Sequence, residues 1–478
     1  MRKTLDEMKR QYPDYTEEQK AEIEKRYREA LKDWKHQIVV LDDDPTGNQT
    51  VHDIYVYTDL TEEAVRSGFR DEYPMFYMLT NSRSFSAEKT EQVHREIARY
   101  VQKVSAEEDR DFLLISRGDS TLRGHYPLET DVLREALEEA GAPKTDGLIL
   151  CPFFPEGGRF TAGDVHYCLD KEELVPAGET EFAKDATFGF VASDLKEYIA
   201  EKSQGRYPAE EVISIRLEEL RAMEYGEIRK KLHDAVDFRQ IVVNALDYWD
   251  LKVFAAALIE EMRDGKHFLI RSAAGVPKIL GGIADKDFLG RRELLGGERK
   301  NGGFIVVGSH VKKTNQQLEE LRKLPEVTFL EFHTADARKE GVLEQETARA
   351  VREVEKLLET GRTVVLHTSR ELVLPENGSK EEALKISVRI SEALTDVVAG
   401  LSVEPAFILA KGGITSSDVA VRGLGIRRAL VLGQADKGIP VWKQGPEARF
   451  PGRPYIVFPG NVGTEKTLAQ LVERLVSQ

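Results

Sequence analysis

The amino-acid sequence predicts an α/β protein: two three-layer α/β domains with mainly parallel sheets facing a central cleft, preceded by an N-terminal helical arm. Three observations carry this reading. Short β-branched or aromatic runs alternate with longer charged stretches of helical period, which is the rhythm of βαβ units. That rhythm pauses once, over the glycine-rich residues 287–303. The apolar runs on both sides of the pause end in bursts of polar residues or glycine, and open α/β sheets bind ligands just outside the carboxyl ends of their strands.

Residues 1–36 alternate in charge. Thr16 and Gln19 have the spacing of a capping box, and Ile23, Tyr27, Leu31 and Trp34 recur at helical spacing. An amphipathic arm laid against the core or against a second copy of the chain is expected. Its polar face mixes both charge signs, which a membrane-surface helix would not. From Gln37 the runs at 38–41, 53–57, 75–79, 112–115, 147–150, 212–215, 240–243 and 268–270 read as strands of a first domain, 37–286. After the expected linker at 287–303, runs at 304–307, 327–330, 363–366, 406–409, 429–432 and 455–458 read as strands of a second, 304–478.

Bulk properties narrow the function. A chain of 478 residues is too long for one core. Its 68 basic and 83 acidic residues leave a formal charge of −15, which argues against a nucleic-acid or anionic-membrane partner. Cys151 and Cys168 are spaced for neither a zinc cluster nor a redox pair, so both read as structural thiols of a reducing compartment. The charged N-terminus does not read as a signal peptide, and no apolar run nears the ~18 residues of a membrane helix. A cytoplasmic protein is expected.

The densest chemistry follows the run Leu113–Ile115. Residues 116–125 hold Arg117, Gly118, Asp119, Ser120, Thr121, Arg123, Gly124 and His125. Paired guanidinium groups suit a carboxylate or phosphate. Asp119 among such donors would stay ionised, fit to hold a sugar hydroxyl or take its proton. The plain alternative is a helix cap flanked by solvated arginines. Asp42-Asp43-Asp44-Pro45-Thr46-Gly47 ends the first strand. Three adjacent carboxylates repel one another, which signals metal, hydroxyl or proton work. Asp42-x-Asp44-x-Thr46 also fits the haloacid-dehalogenase-type phosphatases, but those need a later acidic pair on Mg²⁺, and Asp119 is followed by Ser120. Arg83, in Thr80-Asn81-Ser82-Arg83-Ser84, brings a third guanidinium to the same edge. His166, beyond the shaped loop Cys151–Arg159, reads as a hydrogen-bonded structural histidine ahead of an acid/base.

In the second domain, Gly308-Ser309, Gly412-Gly413-Ile414-Thr415 and Gly460-Asn461-Val462-Gly463 each end a strand. Neither a Walker A loop nor GxGxxG is present. The physics is shared with those loops, because glycine lets the backbone approach phosphate oxygens. Three such turns in one domain point to a nucleotide.

Together these motifs, with Phe154-Pro155-Glu156-Gly157-Gly158-Arg159 and His166-Tyr167, resemble the four-carbon acid sugar kinase family over about Ile38 to Leu475. The resemblance implies an N-terminal acid-sugar domain and a C-terminal ATP domain. It implies an ATP- and Mg²⁺-dependent kinase that phosphorylates the terminal hydroxyl of a 3-oxo-tetronate, threonate or erythronate type of acid to the 4-phosphate. The sugar acid would be held by Asp43, Asp44, Arg83, Arg117, Gly118, Asp119, Ser120 and Arg123, with Asp119, Asp44 and Arg117 catalytic. ATP would be held by Ser309, Gly412, Gly413, Ile414, Thr415, Gly460, Asn461 and Gly463, and no metal ligand is assigned. Three departures stand out: Arg117 where many members carry Lys, Ile414 in place of an acid, and Pro459 in place of Ser. Loss of that acid leaves open a nucleotide- or sugar-acid-binding regulator without chemistry, and the apolar stripe of the arm leaves open a homodimer.

Overall fold

A computed structural model describes residues 3–297, 300–308, 311–334, 337, 339, 341–369, 380–460 and 462–476. They divide into two compact units, Met1–Asp285 and Lys286–Gln478.

In the first unit the strands are β1 (Gln37–Asp42), β2 (Ile54–Tyr57), β3 (Met75–Leu79), β4 (Phe112–Arg117), β5 (Gly147–Cys151), β6 (Arg159–Ala162), β7 (Val165–Asp170), β8 (Glu173–Pro176), β9 (Ile213–Ile215), β10 (Arg239–Val243) and β11 (Phe268–Ser272). A parallel sheet runs in the order β2-β3-β1-β4-β11-β5-β10-β9. Its central strands are buried on both faces, which is why they read as unbroken apolar runs in the sequence. From β1 the chain builds β2 and β3 on one side and then returns with β4 on the other. Strand order therefore reverses at β1, where the register sets Asp42 opposite Leu79 and Arg117. The carboxyl ends of β3, β1 and β4 open the crevice where such sheets take ligands.

The second unit holds β12 (Phe304–Val307), β13 (Val327–Phe332), β14 (Thr363–Thr368), β15 (Ile408–Lys411), β16 (Arg428–Asp436), β17 (Ile439–Gln444) and β18 (Pro454–Phe458). Their order is β13-β14-β12-β15-β18-β17-β16, parallel except for the last two, which pair antiparallel. The three strands that end in glycine turns, β12, β15 and β18, are neighbours.

Every run read as a strand forms one. The sequence reading missed the antiparallel pieces, β6–β8 and β17, because they are short, half-exposed or, in β17, interrupted by Pro440. Two expectations change. The glycine-rich 287–303 contains a helix, Arg291–Leu295, and buries Leu289, Leu294 and Leu295 in the second unit's core, so it is part of that unit. The arm belongs equally to the first unit. Its helix Glu17–Lys32 has the Thr16–Gln19 capping box, buries Ile23 and Tyr27, and clamps helix Tyr248–Arg263 through Arg26 on Glu260 at 2.9 and 2.7 Å. Ile23 and Tyr27 of its apolar stripe are thus covered within the chain, while Leu31 and Trp34 stay partly exposed. No described helix is long and apolar enough to cross a membrane.

Candidate functional site

Four charged side chains from three neighbouring strand ends form a continuous chain at the first unit's carboxyl edge. Arg83, in the turn Ser82–Ser84 after β3, donates to Asp44 beyond β1 and lies 3.5 Å from Asp119 beyond β4. Arg123 Nε donates to Asp119 Oδ2 at 2.7 Å. The Thr46 N–H holds Asp44 at 2.8 Å, and the Thr121 hydroxyl donates to Asp119. These side chains remain 13–28% exposed, enough for a ligand atom to reach them. Burial alone would raise both carboxyl groups, but Arg83 beside each, with Thr46 at Asp44 and Arg123 at Asp119, holds them below the ordinary carboxylate range. Both are ionised at neutral pH.

Behind this chain lies a second layer that solvent does not reach. Arg117, expected to meet substrate, turns inward: its Nη1 donates to Asp42 Oδ1 at 3.2 Å and lies 3.6 Å from Asp43. Its side chain is 6% exposed, and those of Asp42 and Asp43 are 1% and 2%. Burial pushes Asp42 up to about 8 and Asp43 up to about 6, against the pull of the arginines. Neither oxygen of Asp43 has a hydrogen-bond partner among the described residues. Asp42, the nucleophile a haloacid-dehalogenase-type reaction would require, is thus sealed against Arg117.

Arg271, at the end of β11, was not expected. Its Nη1 donates to Ser116 Oγ at 2.7 Å and to Glu129, whose other oxygen accepts from Ser82 Oγ at 2.6 Å. Burial opposes ionisation of Glu129, but Arg271, His94 and Ser82 outweigh it. Reading one residue past the run Phe268–Ile270 would have found Arg271. Glu129 had no such signal, because it sits in a helix, Leu128–Glu139, whose charged sequence resembles a solvated one.

Glycine makes this layer possible. A Cβ on Gly118 would strike the Arg271 guanidinium, and one on Gly47 would strike the Asp42 carboxylate. Leu122 holds a left-handed φ of 68°, rare for a residue with a Cβ, and its carbonyl accepts from the Tyr198 hydroxyl at 2.7 Å. The preceding turn is pinned by His166, whose Nε2 meets the Ser120 carbonyl at 2.8 Å and whose Nδ1 meets the Thr161 hydroxyl at 3.0 Å. His166 is fully buried and is therefore a strut for the Asp119–Ser120 turn.

In the second unit the three glycine turns stand side by side. Gly412 has φ 120° and ψ 142°, a conformation that favours glycine, and opens helix Gly413–Asp418. Gly308 admits Thr415, whose Oγ1 a Cβ would strike, so the first two turns touch. Gln317, on helix Lys312–Leu321, donates to the carbonyls of Val462 and Thr464 at 3.1 and 2.8 Å and fixes the third. Ser416 points inward onto the Ala410 carbonyl at 2.9 Å. Ser309, Asn461 and the side chain of Ile414 lie outside the described residues. Among those described, no three His, Cys, Asp or Glu side chains converge as a metal site.

A charged strand-end crevice in one α/β unit and a row of glycine turns in the other define a protein that pairs a polar-ligand domain with an anion-binding domain. Comparison with known families agrees: residues 38–280 match a sugar-binding N-terminal domain and residues 304–468 a nucleotide-binding C-terminal domain. The chain belongs to the four-carbon acid sugar kinase family, also designated DUF1537. A Salmonella typhimurium LT2 protein provisionally described as a tRNA synthase shares the fold with a TM-score of 0.67, at 17% identity over 92% of this chain and 99% of that one. A DUF1537 protein of Haemophilus influenzae shares it at 0.59, with 17% identity over 91% and 100%. No curated protein sequence matches the chain significantly.

Proposed function

We propose that this chain is an ATP-dependent kinase acting on the terminal hydroxyl of a four-carbon sugar acid. The observation that carries the reading is the alternation Asp44–Arg83–Asp119–Arg123 across the strand-order reversal of the sugar-binding domain. A short polyhydroxy acid presents the complementary set, a carboxylate for the guanidinium groups and hydroxyls for the carboxylates. Arg83 and Arg123 receive the acid's carboxylate and the transferring phosphoryl oxygens. Asp119 and Asp44, held ionised, orient the attacking hydroxyl. Phosphoryl transfer asks chiefly for such positioning and charge neutralisation. Arg117 serves by holding Asp42 and Asp43, and Gly118 by admitting Arg271.

ATP phosphates would rest on the backbone at Gly308, Gly412–Thr415, Gly460 and Gly463. Mg²⁺ ordinarily takes one or two carboxylates besides phosphate oxygens. The glycine turns bring none among the described residues, so they do not by themselves fit the ion.

The test is ADP release with threonate, erythronate and their oxo derivatives. Release that depends on one of these acids supports the kinase. Nucleotide binding without release across the panel would overturn it in favour of a regulator, and hydrolysis of a generic phosphomonoester without ATP would overturn it in favour of a phosphatase.

A further inference from the structure

Lys411 ends β15, in register with Val307 of β12 and Phe458 of β18, so it sits beneath all three glycine turns. It is fully buried. Its Nζ donates to the carbonyls of Pro459 at 2.6 Å and Gly460 at 2.9 Å and stands 4.3 Å from the centre of the Phe458 ring. All these neighbours are neutral. No carboxylate forms an ion pair with it among the described residues, and the charged group that acts on it is another cation, Lys313. A lysine in such a place is a cost to the fold, since buried charges are ordinarily paired. An apolar side chain would fill the same space without burying a charge, though it would leave the two carbonyls without this donor. The missing partner is an anion.

We propose that Lys411 is the positioning residue for phosphate recognition in the second unit: it holds the Pro459 and Gly460 carbonyls inward and places under the glycine turns a positive charge that a nucleotide's phosphate chain completes. In a trans peptide the N–H points away from its own carbonyl, so drawing the Pro459 carbonyl inward turns the Gly460 N–H toward the open side of the turn. Burial, and then Lys313, bring the ammonium down to about 7, so a nearby anion suffices to fix its proton. The inference rests on the reading of this unit as the ATP site and names what gives that site its preference for phosphate.

The test compares ATP, ADP, AMP and adenosine binding by calorimetry for the full chain and its Lys411→Met variant, with melting temperatures of both without ligand. Relief of an unpaired buried charge and loss of the donor to the Pro459 and Gly460 carbonyls oppose each other, so the ligand-free melting temperature serves to confirm that the variant folds. ATP affinity falls about tenfold or more, the scale of one charge-assisted contact, and the loss shrinks with each phosphate removed until adenosine is unaffected. Equal losses for all four ligands or unchanged ATP affinity would mark Lys411 as scaffold and overturn the proposal. If the unmodified chain binds none of the four, the ATP reading itself fails; if it binds ATP and the variant binds it equally well, the inference fails alone.

Discussion

At the carboxyl edge of the first unit's sheet, Arg83, Arg117, Arg123 and Arg271 each have a carboxylate beside them. At the same edge of the second unit, glycine turns surround an ammonium that forms an ion pair with none of the described carboxylates. On the proposed function, the first arrangement would recognise with side chains, whose charges must be neutralised before any ligand arrives. The second would recognise with backbone, which needs no neutralisation, so the buried Lys411 can wait for the ligand. The difference implies that substitutions in the first unit act on chemistry and acceptor binding, and those in the second on nucleotide affinity.

The largest expected effect tests the first half of that division. Asp119→Asn keeps the shape but removes the charge that Arg83 and Arg123 hold. Turnover should fall by about 10²–10⁴-fold, as for loss of a group that orients or accepts a proton, while ATP affinity stays within about twofold. Unchanged turnover would remove Asp119 from the reaction. A matched loss of ATP affinity would break the division between the units.

A paired substitution sharpens it. Gly118→Ala drives a methyl group into the Arg271 guanidinium, and Gly308→Ala drives one into the Thr415 hydroxyl. Each should cost about 1–3 kcal/mol of stability, the usual result of overpacking, measured by denaturant titration. The functional readouts should separate: Gly118→Ala raises the KM for the sugar acid, and Gly308→Ala raises the KM for ATP. Both variants affecting the same substrate would show that the two edges do not act separately.

The same contrast explains what could be read from sequence. Parallel strands buried on both faces announce themselves as apolar runs, so the frame of both units and the polar bursts at Asp44, Arg83, Asp119 and Arg123 were legible. Which of those groups face a ligand was not, because facing depends on neighbours in space. Arg117 and Arg123 look alike in the chain, yet the first is spent on Asp42 in the adjacent strand and the second stays reachable. Lys411 lies between the run at 406–409 and Gly412, and nothing in the sequence around it signals that burial leaves it without a carboxylate partner among the described residues. The antiparallel set β6–β8, which carries His166 to the Ser120 carbonyl, is hidden in the sequence because its strands are only four to six residues long and mix polar and apolar residues without a sustained apolar alternation.

His166 gives the smallest effect and tests whether the first unit's strut works as a neutral group. One neutral tautomer donates from Nε2 to the Ser120 carbonyl and accepts at Nδ1 from the Thr161 hydroxyl, so both contacts are met without a charge. Burial, the leading cause, pushes the imidazole down to about 4. The folded value lies below the unfolded one of about 6.5, so the stabilisation is complete above about pH 6.5 and drains as pH falls toward 4. His94, lowered chiefly by burial, adds a loss of the same sign, and Asp42 and Asp43, raised by burial, add the opposite. The wild-type curve alone therefore cannot isolate His166. His166→Gln keeps a donor and an acceptor but does not titrate, and subtracting its curve cancels the other groups. By urea titration the wild type should be more stable by about 1–3 kcal/mol at pH 7.5, with the gap closing by pH 4.5. A gap independent of pH would mean that the imidazole titrates alike in folded and unfolded chains, and the strut would then owe nothing to its neutrality.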